Sequence, residues 1–156
     1  MDAKHVNAIM RGTKTILTSH LGLEVKMLKP FLANTKTIPS NEISVILGVS
    51  GQLEGQLICS MGRNTAISII SAMMGGMPLT EIDDMGWSAI QEFGNWVAGH
   101  TATELSAEGC IIDVTPPVVN EGASKFHSSS AFITFPLESA IGELYIHVSV
   151  KASVTK

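Results

Sequence analysis

A chain of 156 residues, 45% apolar and 15% charged, is long enough to bury one substantial core and too apolar to stay disordered. Its formal net charge of −4, with no basic cluster, argues against nucleic acid as a partner and suits a surface that meets a lysine or arginine. No apolar run approaches the ~18 residues of a membrane helix, and "MDAKHVNAIMRGTK" lacks the basic-then-apolar layout of a secretory signal, so one cytoplasmic domain over residues 1–156 is expected.

Residues 3–20 carry Val6, Ile9, Met10, Ile16 and Leu17 in an approximate helical stripe, and Gly22 follows as a stop. "LEVKMLKPFL" reads as a short strand that Pro30 confines to an edge or ends, and "TKTIPSNE" reads as a loop. "ISVILGVS" alternates Ile43, Val45, Leu47 and Val49 on one face, and "LEGQLICS" returns from a turn at residues 50–52 as a second strand. "NTAISIISAMM" is a helix that Asn64 is placed to cap and Gly75-Gly76 ends; it is apolar nearly all round and so deeply buried.

One long helix is expected from Pro78 to Gly109, with Thr80 and Asp83 as a capping box and Glu81, Asp83 and Asp84 in the first turn. "CIIDVTPPVV" is extended, "NEGASKFHSSS" a polar loop or frayed edge, "AFITF" a strand and "PLESA" a turn. "IGELYIHVSV" is a strand with Leu144, Ile146, Val148 and Val150 on one face. The order predicts an α+β fold, a largely antiparallel sheet packed against two long helices. Gly55-Gln56-Leu57 and Gly142-Glu143-Leu144 stand in the return strands of the two hairpins, a faint sign of a pseudo-two-fold internal repeat.

The long helix carries the chemistry. At ~100° per residue, Ser88, Glu92, Asn95 and Gly99 share a stripe about 60° wide, opposite Ile90, Phe93 and Val97. A solvated helix face accounts for Ser88 and Glu92. It accounts poorly for Asn95, whose side chain competes for the backbone, and not at all for Gly94 and Gly99, which each weaken a helix by about 1 kcal/mol relative to Ala. The chemical reading is that Glu92 and Asn95 face a reaction on a partner. A carboxamide donates and accepts hydrogen bonds at once and can orient water for attack on phosphorus. A carboxylate one turn away can hold a cation of the partner.

Ser88, Glu92 and Asn95 in an S-x-x-x-E-x-x-N pattern, then Pro116-Pro117, resemble the signature of the CheC/CheX/FliY family of phosphatases of the chemotaxis response regulator CheY. Twenty and twenty-one residues separate Asn95 from the two prolines, slightly fewer than the family's spacing of about 22. "MMGG", an acidic connection, "GNWVAG" and the element order extend the likeness over almost the whole chain. No other Glu has Asn three positions later, and the first helix contains no Glu, so a single site resembles the CheX branch, homodimeric through its sheets.

The resemblance implies a CheC-like fold and, as substrate, the aspartyl phosphate of a CheY-like receiver domain, which supplies Mg²⁺ and an active-site lysine. Glu92 would pair with that lysine, Asn95 would place the attacking water, and Ser88 and Gly99 would shape the contact. The protein would need no metal of its own. A module that docks a response regulator without hydrolysing its phosphate is the alternative, and a structural dimer unrelated to signalling is a third.

Cys59 and Cys110 read as core residues, being too few for a disulfide framework or zinc site. His5, His20, His100, His127 and His147 show no ligand spacing, and "HSSS" at 127 reads as a polar loop. The eight methionines read as core filler. Trp96 either flanks the docking face or packs at the helix edge.

Overall fold

The computed structural model describes residues 3–32, 37–39, 42–122 and 125–153. Helix α1 (Ala3–Thr15) runs into a π-helical turn (Ile16–His20), closed where Leu21 N–H donates to Ile16 O at 3.2 Å. Short strands β1 (Val25–Met27) and β2 (Phe31–Leu32) flank Pro30. Strand β3 (Thr37–Pro39), the hairpin β4 (Ile43–Gly51) and β5 (Leu53–Met61), and helices α2 (Arg63–Met73) and α3 (Asp84–Ala107) follow. The chain ends in β6 (Ile112–Val114), β7 (Val118–Glu121), β8 (Lys125–His127) and the hairpin β9 (Ile133–Ser139) and β10 (Gly142–Ala152).

The main sheet has the order β1-β9-β10-β5-β4-β6, with β2 also on β9 and β7 also on β4. Its pairs are all antiparallel. The alternation seen in sequence sets one face: Val45, Leu47, Leu57, Cys59, Ile146 and Val148 bury against Ile9 of α1, Ile69 and Ile70 of α2, and Ile90, Phe93 and Val97 of α3. The other face is more polar. There Ser44, Ser60, Thr134, His147 and Ser149 are buried, and Ile46 and Phe126 pack on Ile58 and Phe132.

The two hairpins lie side by side with β5 and β10 antiparallel at the centre. Gly142 follows Gly55 by the same number of positions by which Ile146 follows its ladder partner Cys59. Each Gly-x-Leu segment therefore begins four residues before its own member of that pair. Both glycines have a backbone that disfavours any side chain, with φ of 151° at Gly55 and 122° at Gly142. A Cβ at Gly55 would lie 1.8 Å from Ser149 O, and one at Gly142 would lie 2.3 Å from Thr65 Oγ1.

Several elements differ from expectation. Helix α3 starts at Asp84, because Asp83 is its cap and accepts from Gly86 N–H at 2.9 Å; Thr80 and Glu81 precede the helix. Helix α2 is capped at Gly62 and not at Asn64, and Glu42 Oε1 from outside the helix accepts from Arg63 N–H at 2.9 Å. Part of the expected "TKTIPSNE" loop is β3, which pairs with β8 of the expected polar loop; residues 35, 36, 40 and 41 lie outside the described residues. "PLESA" continues β9, since Pro136 costs the ladder one donor while its carbonyl still accepts from Leu28 N–H at 3.0 Å. The turn sits instead at residues 140–141, where Ser139 Oγ accepts from Ile141 N–H and donates to Gly142 O.

Candidate functional site

The periodicity of α3 divides its surface into three strips. Ile90, Phe93 and Val97 are fully buried under the sheet. A second strip meets α1, where a Cβ on Gly12 would come within 2.9 Å of Thr101 N, so the two helices touch backbone to backbone. Arg11 ties this crossing from outside, with Nε 2.8 Å from Glu104 and Nη2 3.1 Å from Glu108; these carboxylates hold the guanidinium pKa above its ordinary value. The third strip is open, and Ser88, Glu92, Asn95 and Gly99 are all exposed on it.

Within that strip Asn95 Nδ2 donates to Glu92 Oε1 at 3.4 Å, a long and weak bond. Among the described residues Glu92 forms no ion pair. Among the described residues, one carboxylate oxygen and the Asn95 carbonyl oxygen have no side-chain partner, and both residues are exposed. The bond between them is exposed and contributes little to stability, so both groups remain available to a partner. The arrangement can hold a cationic group at Glu92 and a water molecule at Asn95 at the same time.

The two glycines of the stretch separate in role. Gly99 is on the open strip, and a Cβ there would meet nothing within 4 Å. Gly94 is buried: a Cβ there would lie 2.8 Å from both Pro117 Cβ and Val45 Cγ1. Gly94 thus lets α3 lie close to the sheet, and Pro117 packs directly behind the residue preceding Asn95. The spacing of the prolines in sequence hinted at their importance; their contact with Gly94 was not readable from it. Beyond Pro117, Val119 and Glu121 of β7 run beside Trp87 and Gln91 of α3.

Two histidines treated as scattered in sequence come together beside this strip. The His20 ring, at the end of the π-helical turn, lies 5.3 Å from the Trp96 ring and 5.0 Å from the His100 ring. Among the described residues no group of three or more His, Cys, Asp or Glu side chains is placed to hold a metal ion. No helix among them is long and apolar enough to cross a membrane.

Comparison with known proteins places the strip inside a matched segment. A model described as the CheC-like family matches residues 85–121, which span Ser88 to Gly99, both prolines and β7. The chain is 38% identical over 154 residues to the CheY-P phosphatase CheX of Thermotoga maritima, covering 97% of this chain and 99% of that protein. It resembles the crystal structure of the chemotaxis protein CheX of Desulfovibrio desulfuricans with a TM-score of 0.83 at 19% identity, over 96% of this chain and 99% of that one. It also resembles a chain of the CheX–CheY–BeF3–Mg²⁺ complex from Borrelia burgdorferi, with a TM-score of 0.74 at 23% identity, over 96% and 99% of the two chains. At these identities the two structural likenesses are likenesses of fold.

Proposed function

The chain belongs to the CheC-like family, and on that premise we propose that it is a phosphatase acting on the aspartyl phosphate of a CheY-like receiver domain, as one cytoplasmic domain over residues 1–156. The observation that carries this reading is the pair Glu92 and Asn95, exposed together on α3 and, among the described residues, bonded through their side chains only to each other. The 38%-identical relative is a CheY-P phosphatase, and a relative of the same fold forms a complex with CheY, BeF3 and Mg²⁺.

In this mechanism the receiver supplies the acyl phosphate, Mg²⁺ and a lysine. Glu92 pairs with the lysine through a charge-assisted bond and docks α3 across the receiver's site. Asn95 then reaches the phosphate. Its carbonyl oxygen accepts a hydrogen bond from a water molecule and its amide donates, which fixes the water in line with the scissile bond. The water oxygen bonds to phosphorus as the bond from phosphorus to the aspartyl oxygen breaks; both water protons end on the released inorganic phosphate, and the receiver's aspartate is left as a free carboxylate. Ser88 and Gly99 fit the helix to the partner: the hydroxyl offers a donor one turn before Glu92, and Gly99 leaves room one turn after Asn95. The helix backbone fixes where both side chains start, so docking orders their rotamers but not the chain that carries them.

A homodimer through sheet edges belongs to the same proposal. Among the described residues neither β1 nor β2 has a neighbour on its outer side in the sheet. Phe31 and Leu32 there are 53% and 62% exposed, an apolar edge of the kind that pairs with another chain.

Decay of a phosphorylated receiver, followed by phosphate release with and without the protein, tests the reading. Faster release is expected at substoichiometric protein. Binding to the receiver with no acceleration would favour the non-catalytic docking module.

A further inference from the structure

We propose that Gly99 and Trp96 form a seat for an apolar side chain of the receiver domain, beside Asn95, and that His20 is a positioning residue that holds the Trp96 indole in place. This rests on the phosphatase reading above and extends it to residues outside the Glu-x-x-Asn pair.

The geometry follows from the helix. Asn95 and Trp96 precede Gly99 by four and three residues, so both border the surface that Gly99 leaves bare. A Cβ at Gly99 would have nothing within 4 Å, so the space there is open. Trp96 also follows Glu92 by four residues and stands on the same side of the helix. The seat therefore continues the strip on which Glu92 and Asn95 face the partner. Its floor is bare backbone, one wall is a carboxamide, and the other is a half-buried indole that also packs on the core. Such a wall offers flat apolar area to an incoming aliphatic or aromatic side chain.

An indole at a helix edge would ordinarily be free to change rotamer. Here it is braced. The His20 ring lies 5.3 Å away at 41° to it, and the His100 ring stands 5.0 Å from His20 at 73°, near the edge-to-face arrangement. His20 reaches this position from the π-helical turn that ends α1, a feature common at functional sites. Because His20 is exposed while Trp96 is not fully so, the brace contributes little to the core. Its effect is to order the wall before the partner arrives, which lowers the cost of docking.

The test is a kinetic titration with phosphorylated receiver for the wild type, Trp96→Ala, His20→Ala and His20→Phe. Trp96→Ala should raise KM about 10-fold or more with kcat retained. His20→Ala should raise KM about 2- to 10-fold, and His20→Phe, which keeps a ring, should restore it. The second readout is indole fluorescence in Trp87→Phe, which leaves Trp96 as the sole tryptophan of the two. Its emission should shift when receiver loaded with BeF3 and Mg²⁺ is added. Unchanged KM in His20→Ala together with a silent Trp96 would overturn the proposal, while loss of hydrolysis in Asn95→Ala would leave the phosphatase reading standing. Full hydrolysis by Asn95→Ala would instead overturn the reading on which the seat depends.

Discussion

Replacing each glycine of the site helix by alanine should move stability in opposite directions. Both substitutions gain about 1 kcal/mol of helix propensity. At Gly99 nothing opposes the gain, because the added methyl would meet no atom within 4 Å. Gly99→Ala should therefore stabilise the fold by about 0.5–1 kcal/mol, a rise of roughly 1–4 °C in Tm for a chain of this size. At Gly94 the methyl would lie 2.8 Å from Pro117 Cβ and 2.8 Å from Val45 Cγ1, neither of which is the end of a flexible chain. Overpacking of this kind costs about 1–3 kcal/mol, which cancels or exceeds the propensity gain and leaves a net loss of up to about 2 kcal/mol. Thermal melts of the two variants decide the structural part. The functional part runs the other way: Gly99→Ala places a methyl where the receiver approaches and should lower kcat/KM by about 5-fold or more despite the higher Tm. A variant that is both more stable and fully active would refute the assignment of Gly99 to the contact, and a raised Tm in Gly94→Ala would refute the close packing on Pro117.

Glu92→Ala should lower both the affinity for the receiver and the rate, because it removes the docking charge; a titration with BeF3-loaded receiver reads the affinity alone. His147 is buried in β10 with Nδ1 2.8 Å from Thr134 Oγ1, and burial pushes its pKa down to about 4. The unfolded chain, with an ordinary histidine near 6.5, binds more protons between those values, so stability is full above about pH 6.5 and falls by about 2–3 kcal/mol as the pH drops to 4. Denaturant melts at pH 7 and 4.5 should show this slope in the wild type and a shallower one in His147→Asn; equal slopes would remove His147 as the cause. Phe31→Lys combined with Leu32→Lys should convert a dimer to monomer in sedimentation while hydrolysis per chain persists, and an unchanged sedimentation coefficient would exclude the β1–β2 edge as the interface.

Much of the site was legible because a helix repeats at a fixed angle. Ser88, Glu92, Asn95 and Gly99 were placed on one open strip from spacing alone, and Ile90, Phe93 and Val97 on the buried one. Strands β4 and β10 were legible through alternation, whereas the second half of β9 reads as a turn because Pro136 stands in it. What escaped depended on contacts between distant segments. Gly94 looked like Gly99 until Pro117 and Val45 were brought against it. His20 and His100 met only because the end of α1 crosses α3. The start of α3 was misplaced because Thr80 and Asp83 are both residue types that cap helices, and only the chain's path selects Asp83. The β3–β8 ribbon carries too few residues for a periodic signal, and its pairing partners stand far apart in sequence.

In the proposed reaction the Asn95 amide directs water at a phosphate borne by another protein. The most direct measurement compares Asn95→Ala with the wild type in two assays on the same receiver: decay of its phosphorylated form, and affinity for its BeF3- and Mg²⁺-loaded form. Hydrolysis should fall about 10²- to 10³-fold while affinity stays near that of the wild type. Hydrolysis at the wild-type rate in Asn95→Ala, with binding intact, would contradict this role of Asn95.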